Sequence, residues 1–453
     1  MKPEAVAVLD VGKTNVKLLA FNAAGAVVAR RTRPSQARAG QLDVEAIWTF
    51  LIDRLRALAN DYTLTHLVPT THGCTGALVN DAGLVVPVTD YEAAIDPVIE
   101  RAYLADRPDF AETLSPALPD GFNLGKQLYA LARTQPQAFA DARYVLTFPQ
   151  YFAWRLTGVA ASEVTSLGCH TDLWNPIDRK PSSLAGKLGL ERLLPPVRPA
   201  WDVLGPPRPE LGLPVGLKIL SGVHDSNASY LRFRAATDGD FALVATGTWI
   251  ICFDSAVSVR RLDPARDTLA NVDVFGQPVT SSRFMGGREY AAIAGDAATV
   301  AAGENEIAAL MARGLFALPS FAPGGPFPGR SPSIVGAPTT PSERAALATL
   351  YAALMTRESL GLIGAARTVY VDGPFARNAP FCRLLAALLP DAQLFATGGD
   401  EGAAVGASLL AHWPLDRQQA LDRLPLEPVA PAALDLEPYR AAWLDLITQE
   451  TTR

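Results

Sequence analysis

A short apolar strand that turns back on itself around a glycine occurs twice in this chain, and that recurrence constrains the fold more than any other feature. Near the amino terminus, Val6-Ala7-Val8-Leu9 and Val16-Lys17-Leu18-Leu19-Ala20-Phe21 flank the turn Asp10-Val11-Gly12-Lys13-Thr14-Asn15. In mid-chain, Phe241-Ala242-Leu243-Val244-Ala245 and Trp249-Ile250-Ile251-Cys252-Phe253 flank Thr246-Gly247-Thr248. Gly12 and Gly247 stand 235 positions apart in 453 residues. Two halves that open alike at that separation point to an internal duplication, with domains expected at 1–235 and 236–453.

The segments between the hairpins sort by their periodicity. Val27-Val28-Ala29 supplies a third strand, and Ile47, Phe50, Leu51, Leu55 and Leu58 follow helical spacing after Asp43. His66 to Val68 reads as a strand followed by the polar turn Thr70 to Gly76. The proline-rich run Pro195 to Pro214 reads as irregular and leads into a strand at Leu217 to Leu220. Ala322 to Gly336 is expected to hold neither helix nor strand. After it come a helix from Ser342 to about Ala365, a strand Thr368 to Val371, a helix Pro380 to Leu389, and the turn Gly398 to Gly402 opening an apolar helix. Asp435 to Thr448 reads as a terminal helix. This alternation predicts an α/β fold.

Composition excludes several functions. A net charge of −6 argues against a nucleic-acid or anionic-membrane binder, which would carry a basic excess. The four cysteines form no C-x-x-C pair, so neither a zinc knuckle nor a disulfide framework is suggested. No run of 18 apolar residues exists to span a membrane, and Val6 to Leu9 is too short for the core of a signal peptide. The expectation is a cytoplasmic protein.

Gly12-Lys13-Thr14 is not a P-loop, because Ala7 stands where that motif needs a glycine and a strand follows where it needs a helix. Its backbone N–H groups can still converge on an anion, with Gly12 permitting close approach and the Thr14 hydroxyl adding a donor. Lys13 and Lys17 are two of only seven lysines in the chain. Asp10, closing an apolar strand, suits a magnesium ion directly or through water. An ordinary hairpin with a turn aspartate and surface lysines explains these residues equally well.

Asp225 follows a strand and a glycine in Ser221-Gly222-Val223-His224-Asp225. It can serve as the carboxylate that takes the proton of an attacking hydroxyl, with His224 as a donor to a substrate oxygen, or simply cap the helix that follows. Gly373 to Asn378 and Gly398 to Gly402 lie at strand–helix junctions, where nucleotides bind and where glycine turns are also plain architecture.

In order and spacing these pieces resemble the FGGY carbohydrate kinases over Val6 to about Ala411. The matching segments are Asp10-x-Gly12-x-Thr14-x-x-Lys17, Gly222-x-x-Asp225, Thr246-Gly247-Thr248, Gly373 with Asn378, and Glu401-Gly402-Ala403-Ala404-x-Gly406-Ala407. His224-Asp225 and His72 to Asn80 are similar to segments of the rhamnulokinase and fuculokinase branch. The resemblance implies an actin-like fold, two duplicated ribonuclease-H-like domains around a cleft. It implies ATP and Mg2+ as cofactors and phosphoryl transfer to a ketose or related polyol. Asp225 would be the base. Asp10, Gly12, Lys13, Thr14, Asn15, Lys17, Gly247 and Thr248 would serve the phosphates and metal, with Gly373, Asn378 and Glu401 on the adenosine side. His72, Gly73 and His224 would face the sugar. The expected partners are small molecules, with a homodimer admitted. The readings set beside it are an actin-like ATPase switch and a non-catalytic sugar-binding regulator.

Overall fold

The computed structural model describes the chain except for residues 257–258, 365–366, 400 and 450–453, and the side chain of residue 260. Contacts divide it into two units, each built on a mixed sheet. Ala365, the expected end of the helix after Ser342, and Asp400, within the expected turn Gly398 to Gly402, lie outside the described residues.

In the first unit the strand order is Val203–Gly205, Lys218–Leu220, Thr63–Thr71, Glu4–Val11, Asn15–Phe21 and Val27–Pro34. Glu4–Val11 and Asn15–Phe21 form the expected antiparallel hairpin, closed by the Gly12 N–H donating to the Asn15 carbonyl at 2.9 Å. Glu4–Val11 runs parallel to Thr63–Thr71. The apolar run is continuous because both sheet faces are covered. Ala7, Leu9 and Val11 pack toward the helix Val44–Asp61, whereas Val6 and Val8 pack toward Ala228, Leu231, Ala404 and Ala407. Asp43 caps the former helix, accepting from the Ala46 N–H at 3.0 Å.

Thr63–Thr71 is longer than the expected His66 to Val68, and it contains Pro69. The proline is tolerated because it sits opposite the break between two short strands, Lys218–Leu220 and Val223–His224. Gly222 makes that break, with φ +91° and its α-carbon so close to Pro69 that an added Cβ would lie 2.6 Å from the Pro69 carbonyl oxygen.

The second unit repeats the opening, with Ala242–Thr246 antiparallel to Ile250–Asp254 and parallel to Thr368–Asp372. Gln393–Thr397 and Leu426–Pro428 extend the sheet. The helix Pro341–Ile363 is buried along most of its length, and Trp443 of the terminal helix Glu437–Gln449 is fully buried. One expectation is corrected here. Within Ala322 to Gly336, Ser333–Val335 forms a strand pairing with Phe316–Leu318, because β-branched Ile334 reaches the unit's core between the flanking glycines and prolines.

The first unit comprises Met1–Ala236 together with Ala270–Pro278 and Glu401–Arg423. The division expected at 235/236 takes no account of these two returning segments. Each returns by close packing: Val272 lies against Gly168, and Gly406 against the Ala228 carbonyl.

Candidate active site

Strand register assembles the first unit's polar residues. Asp10 is paired with Lys17 on one side and Thr70 on the other, and Thr70 and Thr71 are paired with Val223 and His224. Asp10, His72, His224 and Asp225 therefore gather where the parallel strands end, the position at which α/β sheets bind ligands.

Asp10 is only 8% exposed. Lys17 Nζ stands 3.8 Å from its carboxylate and 3.0 Å from Glu401 Oε2, while Arg30 Nη2 is 2.9 Å from Glu401 Oε1. Burial pushes the Asp10 carboxyl up to about 7 against the pull of Lys17, and the charges of Asp225 and Glu401 add to the rise. Glu401, expected on the adenosine side, thus sits in the first unit as the counter-ion of Lys17 and Arg30.

Lys13, expected to add positive charge beside phosphate, is ion-paired within the first unit. Its Nζ lies 2.6 and 2.8 Å from the two Asp90 oxygens, 3.1 Å from Glu92 and 4.5 Å from the centre of the Tyr91 ring. The Tyr91 ring in turn meets His72 edge-on at 5.1 Å. Thr14 is exposed at the turn, and its carbonyl accepts from the Ser35 N–H at 2.9 Å.

His72 Nδ1 lies 3.1 Å from the Gly73 carbonyl, which places the ring proton there and leaves Nε2 as an acceptor. Nε2 is buried without a hydrogen-bond partner, and burial holds the imidazole below its usual pKa. The backbone of Gly73 lies against His224, where an added Cβ would stand 2.8 Å from the ring Nε2. His224 Nε2 is 3.2 Å from Asp225 Oδ1. Asp225 opens the helix Asp225–Ala236, and its Oδ1 also accepts from the Ser226 N–H at 2.6 Å. Asp225 is thus the first residue of the helix, and its carboxylate accepts from the adjacent Ser226 N–H while it pairs with His224.

Behind this pair lies a group that sequence reasoning missed. Asn227 Nδ2 is 3.0 Å from His224 Nδ1, and the Thr165 hydroxyl accepts from the His224 N–H at 3.0 Å while donating to Glu163 at 2.6 Å. Burial pushes the Glu163 carboxyl up to about 7, countered by the donors of Thr165 and Ser166. No sequence signal marks Asn227, since the same helix also buries the polar residues Ser229 and Arg232.

In the second unit Gly247 and Gly373 converge on Thr246. The Thr246 hydroxyl donates to the Asp372 carbonyl at 2.6 Å and accepts from the Phe375 N–H at 3.0 Å. Gly373 has φ +87°, and a Cβ there would lie 2.1 Å from the Thr246 carbonyl oxygen. Thr248 accepts through its carbonyl from the Gly287 N–H at 3.2 Å. Asn378 caps the helix Ala379–Leu388, its Oδ1 accepting from the Phe381 N–H at 3.1 Å.

Two duplicated α/β units with glycine turns at corresponding strand ends define the actin-like two-domain ATPase fold, and the comparisons agree. A ligand-bound xylulose kinase from Lactobacillus acidophilus superimposes with a TM-score of 0.81 at 16% identity over 99% of this chain and 97% of that one, which shows the fold. Residues 238–420 match the family description "Carbohydrate kinase FGGY, C-terminal domain". A carbohydrate kinase from Novosphingobium aromaticivorans is 36% identical, with a TM-score of 0.88 over 97% of this chain and 100% of that one. The L-fuculokinase of Escherichia coli (strain K12) is 30% identical over 271 residues, 55% of this chain and 56% of that protein, so the match spans little more than half of this curated relative. The chain belongs to the FGGY carbohydrate kinase family.

Proposed function

We propose that the protein is an ATP-dependent sugar kinase, transferring the γ-phosphoryl group of MgATP to a hydroxyl of a ketose or related polyol in the cytoplasm. The observation that carries the reading is the pairing of buried His224 with partly exposed Asp225 at the strand end, near enough to Asp10 for the Asp225 charge to raise its pKa. The similarity to an L-fuculokinase supports a six-carbon deoxyketose as the first candidate substrate.

In this mechanism Asp225 accepts the proton of the sugar hydroxyl as its oxygen bonds to the γ-phosphorus. The bond from that phosphorus to the bridging oxygen breaks, and ADP leaves. Most of the rate in such transfers comes from positioning and electrostatics, with the base contributing the remainder. His72, whose Nε2 is a buried acceptor without a partner, takes a hydrogen bond from a sugar hydroxyl. The family pattern assigns Gly12, Thr14, Asn15, Lys17, Gly247 and Thr248 to the phosphates, and Gly373 and Asn378 to the nucleoside.

Among the described residues no three His, Cys, Asp or Glu side chains come together to hold a metal. Mg2+ keeps several waters and takes one or two carboxylates beside phosphate oxygens, so Asp10 would hold it together with ATP. When bound, the ion would neutralise charge developing on the phosphates. Lys17 favours the ionised form of the Asp10 carboxyl against its burial, and Glu401 with Arg30 fixes Lys17.

The test is ADP release with MgATP against L-fuculose, L-rhamnulose, both ribuloses, both xyluloses, erythrulose and glycerol. A clear rate with one acceptor supports the reading. ATP hydrolysis that no sugar alters would point to a switch and overturn it.

A further inference from the structure

We propose that Asn227 is a positioning residue of this site, fixing the His224 ring with Nδ1 unprotonated and Nε2–H directed at Asp225. The consequence for turnover rests on the kinase reading above; the state of the ring does not.

The argument starts from donors and acceptors. An amide nitrogen only donates, so the Asn227 Nδ2 atom 3.0 Å from His224 Nδ1 requires a lone pair on that ring nitrogen. The amide cannot be turned around without loss, because the same Nδ2 also faces the Thr165 carbonyl at 3.4 Å. A neutral imidazole then carries its proton on Nε2, which faces the Asp225 carboxylate at 3.2 Å. This one tautomer pairs both ring nitrogens, while the Asn227 Oδ1 is buried without a hydrogen-bond partner.

The surroundings hold the arrangement. Asn227 and His224 are buried, at 1% and 4% exposure. Thr165 grips both, its hydroxyl accepting from the His224 N–H and its carbonyl from Asn227, while Glu163 accepts from the Thr165 hydroxyl and N–H. The other groups facing the ring are Cys169, whose Sγ lies 3.6 Å from Nε2, and the backbone of Gly73. Burial keeps the ring below its usual pKa although Asp225 opposes this.

The chemical consequence is a division of labour on the Asp225 carboxylate. Oδ1 receives the Ser226 N–H, the Ser226 hydroxyl and the His224 Nε2–H. Three donors on one oxygen orient the group and direct Oδ2 toward an incoming proton. Without Asn227, the ring is free to turn over and protonate on either nitrogen, and Asp225 loses a fixed donor.

The experiment is nitrogen NMR of 15N-histidine protein at pH 7, with the His224 signals among the five histidines identified from a His224→Gln sample. The wild-type protein is expected to show one tautomer at His224, protonated on Nε2 with a hydrogen-bonded Nδ1. Asn227→Leu is expected to fold, lose that signature for a mixture of ring states, and lower kcat about tenfold or more with KM for MgATP within about twofold. A wild-type ring protonated on Nδ1 would overturn the proposal, and so would a folded Asn227→Leu with the wild-type ring and kcat. If Asn227→Leu does not fold, the wild-type tautomer decides. A protein inactive on every acceptor would count against the kinase reading, and the two ring spectra would still decide the role of Asn227.

Discussion

Gly406 packs directly on the backbone of Ala228: a Cβ built on the glycine would lie 1.7 Å from the Ala228 carbonyl oxygen. The helix Gly402–Leu409 thereby seats against Asp225–Ala236, the helix that carries Asp225 and Asn227. No neighbouring side chain can yield to make room, because the obstructing atom is backbone.

Gly406→Ala should therefore push the two helices apart. We expect a loss of about 1–3 kcal/mol of stability, the range for overpacked cores, and a lower kcat because the first turn bearing Asp225 shifts. Thermal unfolding and sugar-dependent ADP release on the same sample check both. An unchanged melting temperature would show that the helices separate freely.

Lys17 links the strand-end carboxylate of Asp10 to Glu401, 384 positions away. Lys17→Met removes the cation that favours ionised Asp10 and leaves Glu401 to Arg30 alone. Binding of MgATP should weaken at least about tenfold, by analogy with breaking a partly buried charge pair, while the fold persists. Isothermal titration with a non-hydrolysable ATP analogue and Mg2+ reads the effect.

Glu289 provides a pH test of stability away from the catalytic residues. Its carboxyl accepts from the Ala322 N–H at 3.1 Å and the Tyr351 hydroxyl at 2.9 Å, and burial pushes it up to about 7. The folded protein thus holds a proton that the unfolded chain releases near its ordinary value of 4.5. Stability from this group is present below that value and is lost as pH rises through about 7. Glu289→Gln, neutral at every pH, should remove roughly 1–3 kcal/mol of the decline between pH 5 and pH 8. Denaturant melts at the two pH values, wild type against variant, measure it. An equal decline in both proteins would contradict the assignment.

How much of this was legible in the sequence depends on the range of the interaction. Both hairpins, the strand-end positions of Asp10 and Asp225, and the helix after Asp43 follow from local periodicity and capping. The ion pairs of Lys13 with Asp90 and Glu92 are not legible locally, because those carboxylates lie on a distant segment. Glu401 was read with its neighbours in sequence, whereas tertiary packing brings it to Lys17 and Arg30. The strand Ser333–Val335 was hidden in a run of proline and glycine, since only its partner Phe316–Leu318 makes it a strand. Asn227 carries no motif; its meaning lies in one atom's distance from His224.

The central claim is that Asp225 is the proton acceptor in phosphoryl transfer to a sugar, and the most direct measurement is turnover of Asp225→Asn with the best acceptor and saturating MgATP. The substitution preserves shape and the contacts at Oδ1 while removing the basic carboxylate. We predict a fall in kcat of about 100-fold or more with an intact melting profile and retained nucleotide binding. Near-normal turnover by a folded Asp225→Asn protein would contradict the account.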